Sequence, residues 1–543
     1  MAEKYSSPGR DEHPTEPASA RTQPGIEAEP AAKPRSDSLA LVILWSAREP
    51  ARVGEVALVG QGPQWILGRA PVDAKSASAS CCRTGERGTE HGSPSEQTLT
   101  FERQRPPGLS DENSGRSGMC ILAGEAISRR QLAIQSRGES LHIRNIGRCP
   151  LLVNGLPVEE SDVQPGDTVC LRNQILLYCT RRPTSLPALK AYPSARVGLF
   201  GEPDQEGMVG ESPLVWKLRD RLAAYARTGF HILVIGESGT GKELAAQAIH
   251  RLSSRAAKKL VADNIAAIPS SLAAALLFGN KRNFPNPGME ERVGLIGSAH
   301  GSTLFLDEIG DMPEDVQPIF LRVTERGGEY FRLGEETRLM RSDFRLVGAT
   351  NRPEKMRYEL KRRFQREIWV PGLNHRKEDI PLLIRHLLIS QAQANDIDAP
   401  RFLNNGHPSL HPLLVEQLIH HTYTTHVSEV GFLLGQAMAE SDGDMIMPLG
   451  SGLSPELRPA PTPTPSPAPT AAPAPPLPPE LRRRPVSRLP TPQQAQQVLD
   501  EHAGDVTRSA ATLGISRDQL NRMIRREQLQ VRRPRRSVPG LGS

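Results

Sequence analysis

The chain is poor in aromatic residues, which make up 4% of its 543 positions. It also lacks a long hydrophobic run. The longest near the N-terminus, LALVILW at 39–45, is too short to span a bilayer and has no secretory cleavage pattern, so a cytoplasmic protein without a membrane partner is expected. Cysteine is scarce too. The six residues (Cys81, Cys82, Cys120, Cys149, Cys170, Cys179) fall in the first third without the paired two-residue spacing of a zinc site, which leaves reduced, unreactive thiols. Lysine is missing from the final stretch. From Leu481 onward there are 13 arginines, no lysine and 5 acids, a balance of +8 against −2 for everything before it and +6 for the whole chain. The basic character belongs to the C-terminus.

What is plentiful is proline and glycine, 49 and 46 residues, unevenly spread. At this length three or four units are expected, with linkers between them. Residues 1–37, rich in Pro, Ala, Ser and Glu and without periodicity, are expected to be disordered. From 38 to 183 short β-like runs (EVALVG, WILGR, LAIQS, LHIRNI, LLVNG, DTVCLRN, ILLYCT) recur between turn residues, the pattern of an all-β sandwich, with a polar, disordered insert near 71–117. Between 205 and 445 apolar strands alternate with helical segments, the signature of an α/β unit with a parallel sheet. Residues 446–490 include PAPTPTPSPAPTAAPAPPLPP, which cannot form a core and reads as an extended linker. In 491–533 a helical periodicity broken at Gly504 and Gly514 fits three short helices, a small all-α unit, and 534–543 form a tail.

The chemistry concentrates in the middle. In HILVIGESGTGKELAAQAIH, 231–250, an apolar strand runs into a glycine loop and then a helical pattern. That is the context of a P-loop: glycines let backbone N–H groups approach phosphates, the helix N-terminus favours negative charge, and the lysine reaches the outer phosphates. Gly236, Glu237, Ser238, Gly239, Thr240, Gly241, Lys242 and Glu243 are thus the candidate ATP-binding residues, with Glu243 where P-loops usually place a hydroxyl for magnesium. A second strand, GSTLFLDEIGDMP, delivers Asp307 and Glu308 to the edge of a parallel sheet. Asp307 suits the magnesium shell and Glu308 suits polarising the attacking water. Alone, the same pair would read as a strand end whose acids cap the next helix; the P-loop upstream tips the reading towards catalysis.

Together GESGTGKE, AAIPSSL, LLFG, GSTLFLDEIGDMP, FRLVGATNRP and HRKEDIPLL resemble the AAA+ domain of sigma-54-dependent transcriptional activators, the bacterial enhancer-binding proteins. The resemblance implies an AAA+ ATPase domain with a helical lid that assembles into a homo-oligomeric ring, with ATP and magnesium as cofactors and sigma-54 RNA polymerase as partner. In that family Glu is usual at the position of Glu243. Asn264 matches the residue that holds the catalytic glutamate between turnovers, and Asn351 the sensor that positions water. Arg357 and Arg363, in KMRYELKRRF, match the arginines supplied to a neighbouring subunit's ATP.

Two places depart from that family. Its GAFTGA loop, which touches sigma-54, is replaced by NFPNPG at 283–288, where two prolines remove donors and permissive glycines. Its WPGNVREL segment is similar to the stretch ending YTTHVSEV, with Ser428 in place of the nucleotide-sensing arginine; serine cannot make a bidentate phosphate contact. Binding is therefore expected to survive better than mechanical output.

In the β segment WILGR, ISRRQ and LLVNG resemble a forkhead-associated (FHA) domain, which implies recognition of a phosphothreonine protein made by a Ser/Thr kinase. Arg69, Ser128 and Arg129 match its phosphate-holding positions, and Gln131 stands for its structural histidine. A sandwich that serves only for docking is the alternative. The segment GDVTRSAATLGISRDQLNRMIRR resembles the factor-for-inversion-stimulation (Fis) type of helix-turn-helix: Ala510, Leu513, Ile515 and Leu520 are spaced to pack two helices, and Arg517, Asn521, Arg522 and Arg525 are suited to a major groove of duplex DNA. The expectation is a DNA-binding transcriptional regulator that binds ATP and takes its input from phosphothreonine. Its rivals are a phosphopeptide-dependent adaptor or repressor that never remodels sigma-54, and a standalone ATPase acting on another protein.

Overall fold

The computed structural model describes residues 37–69, 96–109, 122–284, 286–325, 327–393, 399–450, 492–502, 506–513, 520 and 524. The expected disordered N-terminal segment, most of the insert and most of the linker lie outside these residues. The chain divides into two compact units, Met1–Pro461 and Thr462–Ser543.

The first unit opens with two β-sheets. One is ordered β2 (Val56–Val59), β1 (Asp37–Ser46), β11 (Ile175–Pro183), β10 (Thr168–Leu171), β7 (Leu151–Val153), β8 (Leu156–Val158). The other is ordered β4 (Glu96–Thr98), β3 (Gln64–Leu67), β5 (Leu132–Arg137), β6 (Ser140–Asn145), β9 (Glu160–Val163). Inward residues such as Leu41, Ile43, Leu67, Leu132, Ile143 and Leu177 form the core between them. Two expectations are corrected here. Within the insert expected near 71–117, Glu96–Thr98 pairs with β3, and Leu99 and Phe101 are buried in the sandwich core. The linker expected from 446 starts later, because Ile446 and Leu449 are buried among the helices that precede them.

Helix α1 (Pro213–Ala226) leads into a five-stranded parallel sheet ordered β13 (Val261–Asn264), β14 (Thr303–Asp307), β17 (Arg345–Thr350), β12 (Ile232–Ile235), β18 (Arg366–Trp369). Strands β12, β14 and β17 are near-continuously apolar because both sheet faces are covered, as parallel sheets require. Around the sheet lie α2 (Lys242–Arg251), α3 (Ser270–Phe278), α4 (Gly294–Ser298), α5 (Gln317–Glu325) and α6 (Tyr358–Lys361), with a small hairpin of β15 (Glu329–Tyr330) and β16 (Met340–Arg341). Strands β12, β14 and β17 end side by side, so the loops after β12 and β14 face one cleft. This is the AAA+ P-loop α/β fold, completed by a helical lid of α7 (Ile380–Gln393), α8 (Pro412–His420) and α9 (His426–Ala439).

The sandwich is fused to that lid. Along β1 the side chains alternate, Leu39, Leu41 and Ile43 entering the sandwich core while Ala40, Val42 and Leu44 enter a second core shared with Leu383, Leu414, Leu418, Val430 and Leu434. The same alternation in β11 sends Leu177 inward and Leu176 and Tyr178 towards the lid. That is why LALVIL is unbroken by polar residues although it sits in an antiparallel sheet: both its faces are buried. Each fully buried Val or Leu here stabilises by about 1.5–3 kcal/mol relative to exposure. Polar contacts fix the register, with Trp45 Nε1 donating to Leu410 O at 2.8 Å, Thr168 Oγ1 donating to Glu416 Oε1 at 2.5 Å, and Arg182 paired with Glu378 at 3.1 Å.

In the second unit α10 (Pro492–Glu501) and α11 (Val506–Leu513) enclose a small core of Ala495, Leu499, Ala510 and Leu520. Leu513 packs against it, as its spacing with Ala510 and Leu520 implies. Ile515, Arg517, Asn521, Arg522 and Arg525 lie outside the described residues.

Candidate functional site

The cleft at the strand ends has a volume of about 530 Å³ and is lined by the P-loop from Ser238 to Glu243, by Asn264, Asp307 and Glu308, and from the lid by Val427 and Ser428. A site of that size suits a small molecule such as a nucleotide. Glycine makes the loop possible. Gly239 and Gly241 have φ of +73° and +98°, and α2 begins immediately at Lys242. A Cβ at Gly236 would lie 2.8 Å from Thr240 Oγ1, whose hydroxyl donates to Glu237 O at 2.9 Å and closes the loop on itself. The first-turn N–H groups of α2 and its dipole then face the cleft.

Lys242 is buried, and its Nζ lies 3.3 Å from Glu237 O and 3.4 Å from Glu308 Oε1. Glu308 has a left-handed backbone, φ +47°, a conformation that costs a non-glycine residue about 1–3 kcal/mol and that accumulates at functional sites. Its N–H donates to Asp307 Oδ1 at 3.0 Å, and its Oε2 accepts from Asn351 N at 3.3 Å. The Asn351 Oδ1 is buried without a hydrogen-bond partner, an acceptor left over beside the carboxylate. Burial pushes the Asp307 carboxyl above its ordinary value, against the pull of the Glu308 N–H and the Lys242 ammonium.

The fold thus brings Lys242, Asp307, Glu308 and Asn351 together from β12, β14 and β17. Asn264 lines the same cleft, but its Oδ1 accepts from Ala266 N at 2.9 Å, and Glu308 is held by Lys242 and Asn351 instead. Arg357 and Arg363 are not among the residues lining the cleft; Arg357 pairs with Glu314 at 3.5 Å on the surface, and Arg363 lines a separate hollow with Tyr358, Glu359 and Arg362. Ser428 faces the P-loop, as its place in the sequence implies.

Residues 208–371 match the sigma-54 interaction domain. Among relatives, the transcriptional regulator NtrC of Rhizobium meliloti is 38% identical over 223 residues, 39% of this chain and 45% of that protein. The transcriptional regulator VasH of Vibrio cholerae is 44% identical over 190 residues, 33% of this chain and 35% of that protein. The chain therefore spans less than half the length of these curated relatives. Among solved structures, NtrX from Brucella abortus in complex with ATP covers 61% of this chain at 25% identity, with a TM-score of 0.40 over 69% of its own length. The stretch that matches the sigma-54 interaction domain holds the P-loop, Asn264, Asp307, Glu308 and Asn351, whereas Ser428 lies beyond it in the lid.

At the loop end of the sandwich, Arg69 N donates to Ser128 O at 3.1 Å, and Ser128 Oγ accepts from Arg148 N at 3.0 Å. Arg129 is exposed, whereas the Arg69 Nε is buried without a hydrogen-bond partner. Gln131 is fully buried and ties the loops: its Oε1 accepts from Ser128 N and Cys149 N, and its Nε2 donates to Asn145 Oδ1 and Cys149 O. An exposed Arg148 beside Ser128 is an addition that the motif did not disclose. Among the described residues no group of three His, Cys, Asp or Glu could hold a metal ion, and no helix is long and apolar enough to cross a membrane.

Proposed function

We propose that this chain is a transcriptional regulator of the sigma-54-dependent kind, in which a nucleotide-driven ring domain joins a phosphothreonine-reading sandwich to a DNA-binding C-terminal unit in the cytoplasm. The observation that supports it most is the convergence of Lys242, Asp307 and Glu308 on one cleft, with Asn351 bonded to Glu308, within the stretch that matches the sigma-54 interaction domain. In this reading Lys242 and the P-loop amides bind the ATP phosphates, and Glu308, held by Asn351, takes the proton of the attacking water. Asp307 would hold magnesium, which neutralises phosphate charge when bound. The residues fit these groups: the glycine cradle admits phosphates without a Cβ in the way, and Asn351 keeps a spare buried acceptor. Arg357 and Arg363 would serve the next subunit of a homo-oligomeric ring.

Input would come through Arg69, Ser128 and Arg129, with a kinase-made phosphothreonine as ligand. Output would pass through Arg517, Asn521, Arg522 and Arg525, which suit base edges and phosphates of duplex DNA. Binding of the isolated C-terminal unit to DNA should fall steeply with salt.

A second reading, an adaptor or repressor that binds ATP and DNA without remodelling sigma-54, is favoured by one feature. Among the described residues in and around 283–288, Asn283 Oδ1 accepts from Gly288 N at 2.9 Å, and the buried Asn280 Nδ2 donates to Lys281 O, Phe284 O and Glu290 O. In vitro transcription with sigma-54 holoenzyme, ATP and a promoter carrying the chain's binding site separates the two. Open-complex formation that depends on ATP hydrolysis supports the first; none, with DNA binding intact, leaves the second.

A further inference from the structure

The lid meets the P-loop through the first turn of α9, and one buried side chain there bonds to both the P-loop and the turn after β18. His426 is 1% exposed, and its backbone is left-handed with φ +48°. Its Nε2 lies 2.5 Å from Glu237 Oε2 in the P-loop, and its Nδ1 lies 3.3 Å from the backbone N of Leu373, just beyond β18. A backbone amide can only donate, so Nδ1 carries the lone pair, and the ring proton sits on Nε2 and is donated to the carboxylate. Both nitrogens are committed, which fixes the tautomer and the ring orientation. The ring also packs on Gly372, where a Cβ would come within 2.5 Å of it.

Neighbouring backbone seals the joint. Val427 N donates to Gly239 O at 3.1 Å, and a Cβ on Gly239 would strike Thr425 O at 2.0 Å. Ser428, where the resemblance places an arginine, lines the cleft with a hydroxyl that cannot make an arginine's bidentate contact to a phosphate. Three elements, the P-loop, the turn after β18 and the lid helix α9, therefore meet at one imidazole.

We propose that His426 is the positioning residue that couples the lid to the nucleotide loop in this chain, through Glu237 rather than through an arginine on phosphate. The inference rests on the nucleotide reading of the P-loop. His426 touches no nucleotide; it sets where Glu237, and with it the loop, stands relative to α9.

The test uses the full chain, a fluorescent ATP analogue with magnesium, and four variants. His426→Leu and Glu237→Ala should each weaken binding about tenfold, the loss of one hydrogen bond to a charged group. The His426→Gln side chain carries both a donor and an acceptor and should recover most of that loss. The double variant His426→Leu, Glu237→Ala should be no weaker than the worse single, because both remove one contact. Glu237 is 65% exposed in its side chain, so its alanine variant tests the idea even if His426→Leu fails to fold. Wild-type affinity in Glu237→Ala, additive losses in the double variant, or no recovery in His426→Gln would overturn the coupling role. If the wild-type chain itself fails to bind the analogue, the nucleotide reading falls and takes this inference with it; binding by wild type with unaffected variants removes this inference alone.

Discussion

Lys242 Nζ stands 3.4 Å from Glu308 Oε1, so the P-loop and the end of β14 are tied across the cleft by opposite charges. A terminal phosphate would compete with Glu308 for the same ammonium and release the carboxylate towards water. Lys242→Ala removes the buried ammonium that the P-loop contributes to the cleft. Nucleotide affinity should fall by about two orders of magnitude, as for loss of a charge-assisted contact. Unchanged affinity by calorimetric titration would refute the nucleotide site.

Glu308→Gln keeps the shape of the side chain and loses the base. ATP binding should persist while hydrolysis drops by about 10²–10⁴-fold, the usual contribution of a general base. A hydrolysis rate equal to wild type, measured by phosphate release, would remove Glu308 from the chemistry.

Arg69 anchors the phosphate end of the sandwich in the proposed reading. Arg69→Ala should abolish enrichment of phosphothreonine over unphosphorylated peptides on the full chain, since the ligand carries close to two negative charges. A substitution at Gln131 should instead loosen the Ser128 and Cys149 loops that it bonds. A peptide library without phosphate preference on the wild-type chain would leave the sandwich as a docking module.

Leu44 belongs to the core that the sandwich shares with the lid. Leu44→Ala should cost about 2–5 kcal/mol in stability and depress ATP hydrolysis although it lies far from the cleft in sequence. Thermal melting followed beside phosphate release checks both; a stability loss with fully normal hydrolysis would show that the lid works without that wall.

Acid should weaken the parallel-sheet unit through His231, which precedes β12. Burial, then the nearby Arg345 and Arg255 guanidinium groups, pushes its imidazole from 6.5 down to about 4. The unfolded chain takes up a proton below 6.5 that the folded one refuses until about 4, so stability falls as pH drops through that window. Melting temperatures between pH 7.5 and 4 should decline less in His231→Gln than in wild type, the full effect being on the order of 3 kcal/mol. Equal slopes would discard the assignment.

The P-loop and the Asp307–Glu308 pair were legible because each is a continuous motif whose neighbours set strand, turn and helix locally. The unbroken LALVIL run announced a strand, but which surface would cover its second face depends on lid helices more than 300 residues away in sequence, beyond any local pattern. Strand β4 and the buried Phe101 were hidden in a polar stretch, since a strand of three residues carries almost no periodicity. Ile446 and Leu449 were masked by the proline-rich composition that follows them. The pairing of His426 with Glu237 was invisible because the two lie 189 residues apart and neither bears a motif that implies the other.

Since alternate side chains of β1 belong to two different cores, the place where the sandwich ends in sequence is not a place where the protein can be cut and rejoined. A chimera that transplanted residues 37–183 onto another P-loop protein would carry an oily strand with nothing to meet it, and the donor lid would be left with a missing wall. The smallest portable cassette runs from β1 through Leu449, sandwich, parallel-sheet unit and lid together. Recombination between such proteins should succeed near the proline-rich stretch after it and fail at the sandwich boundary.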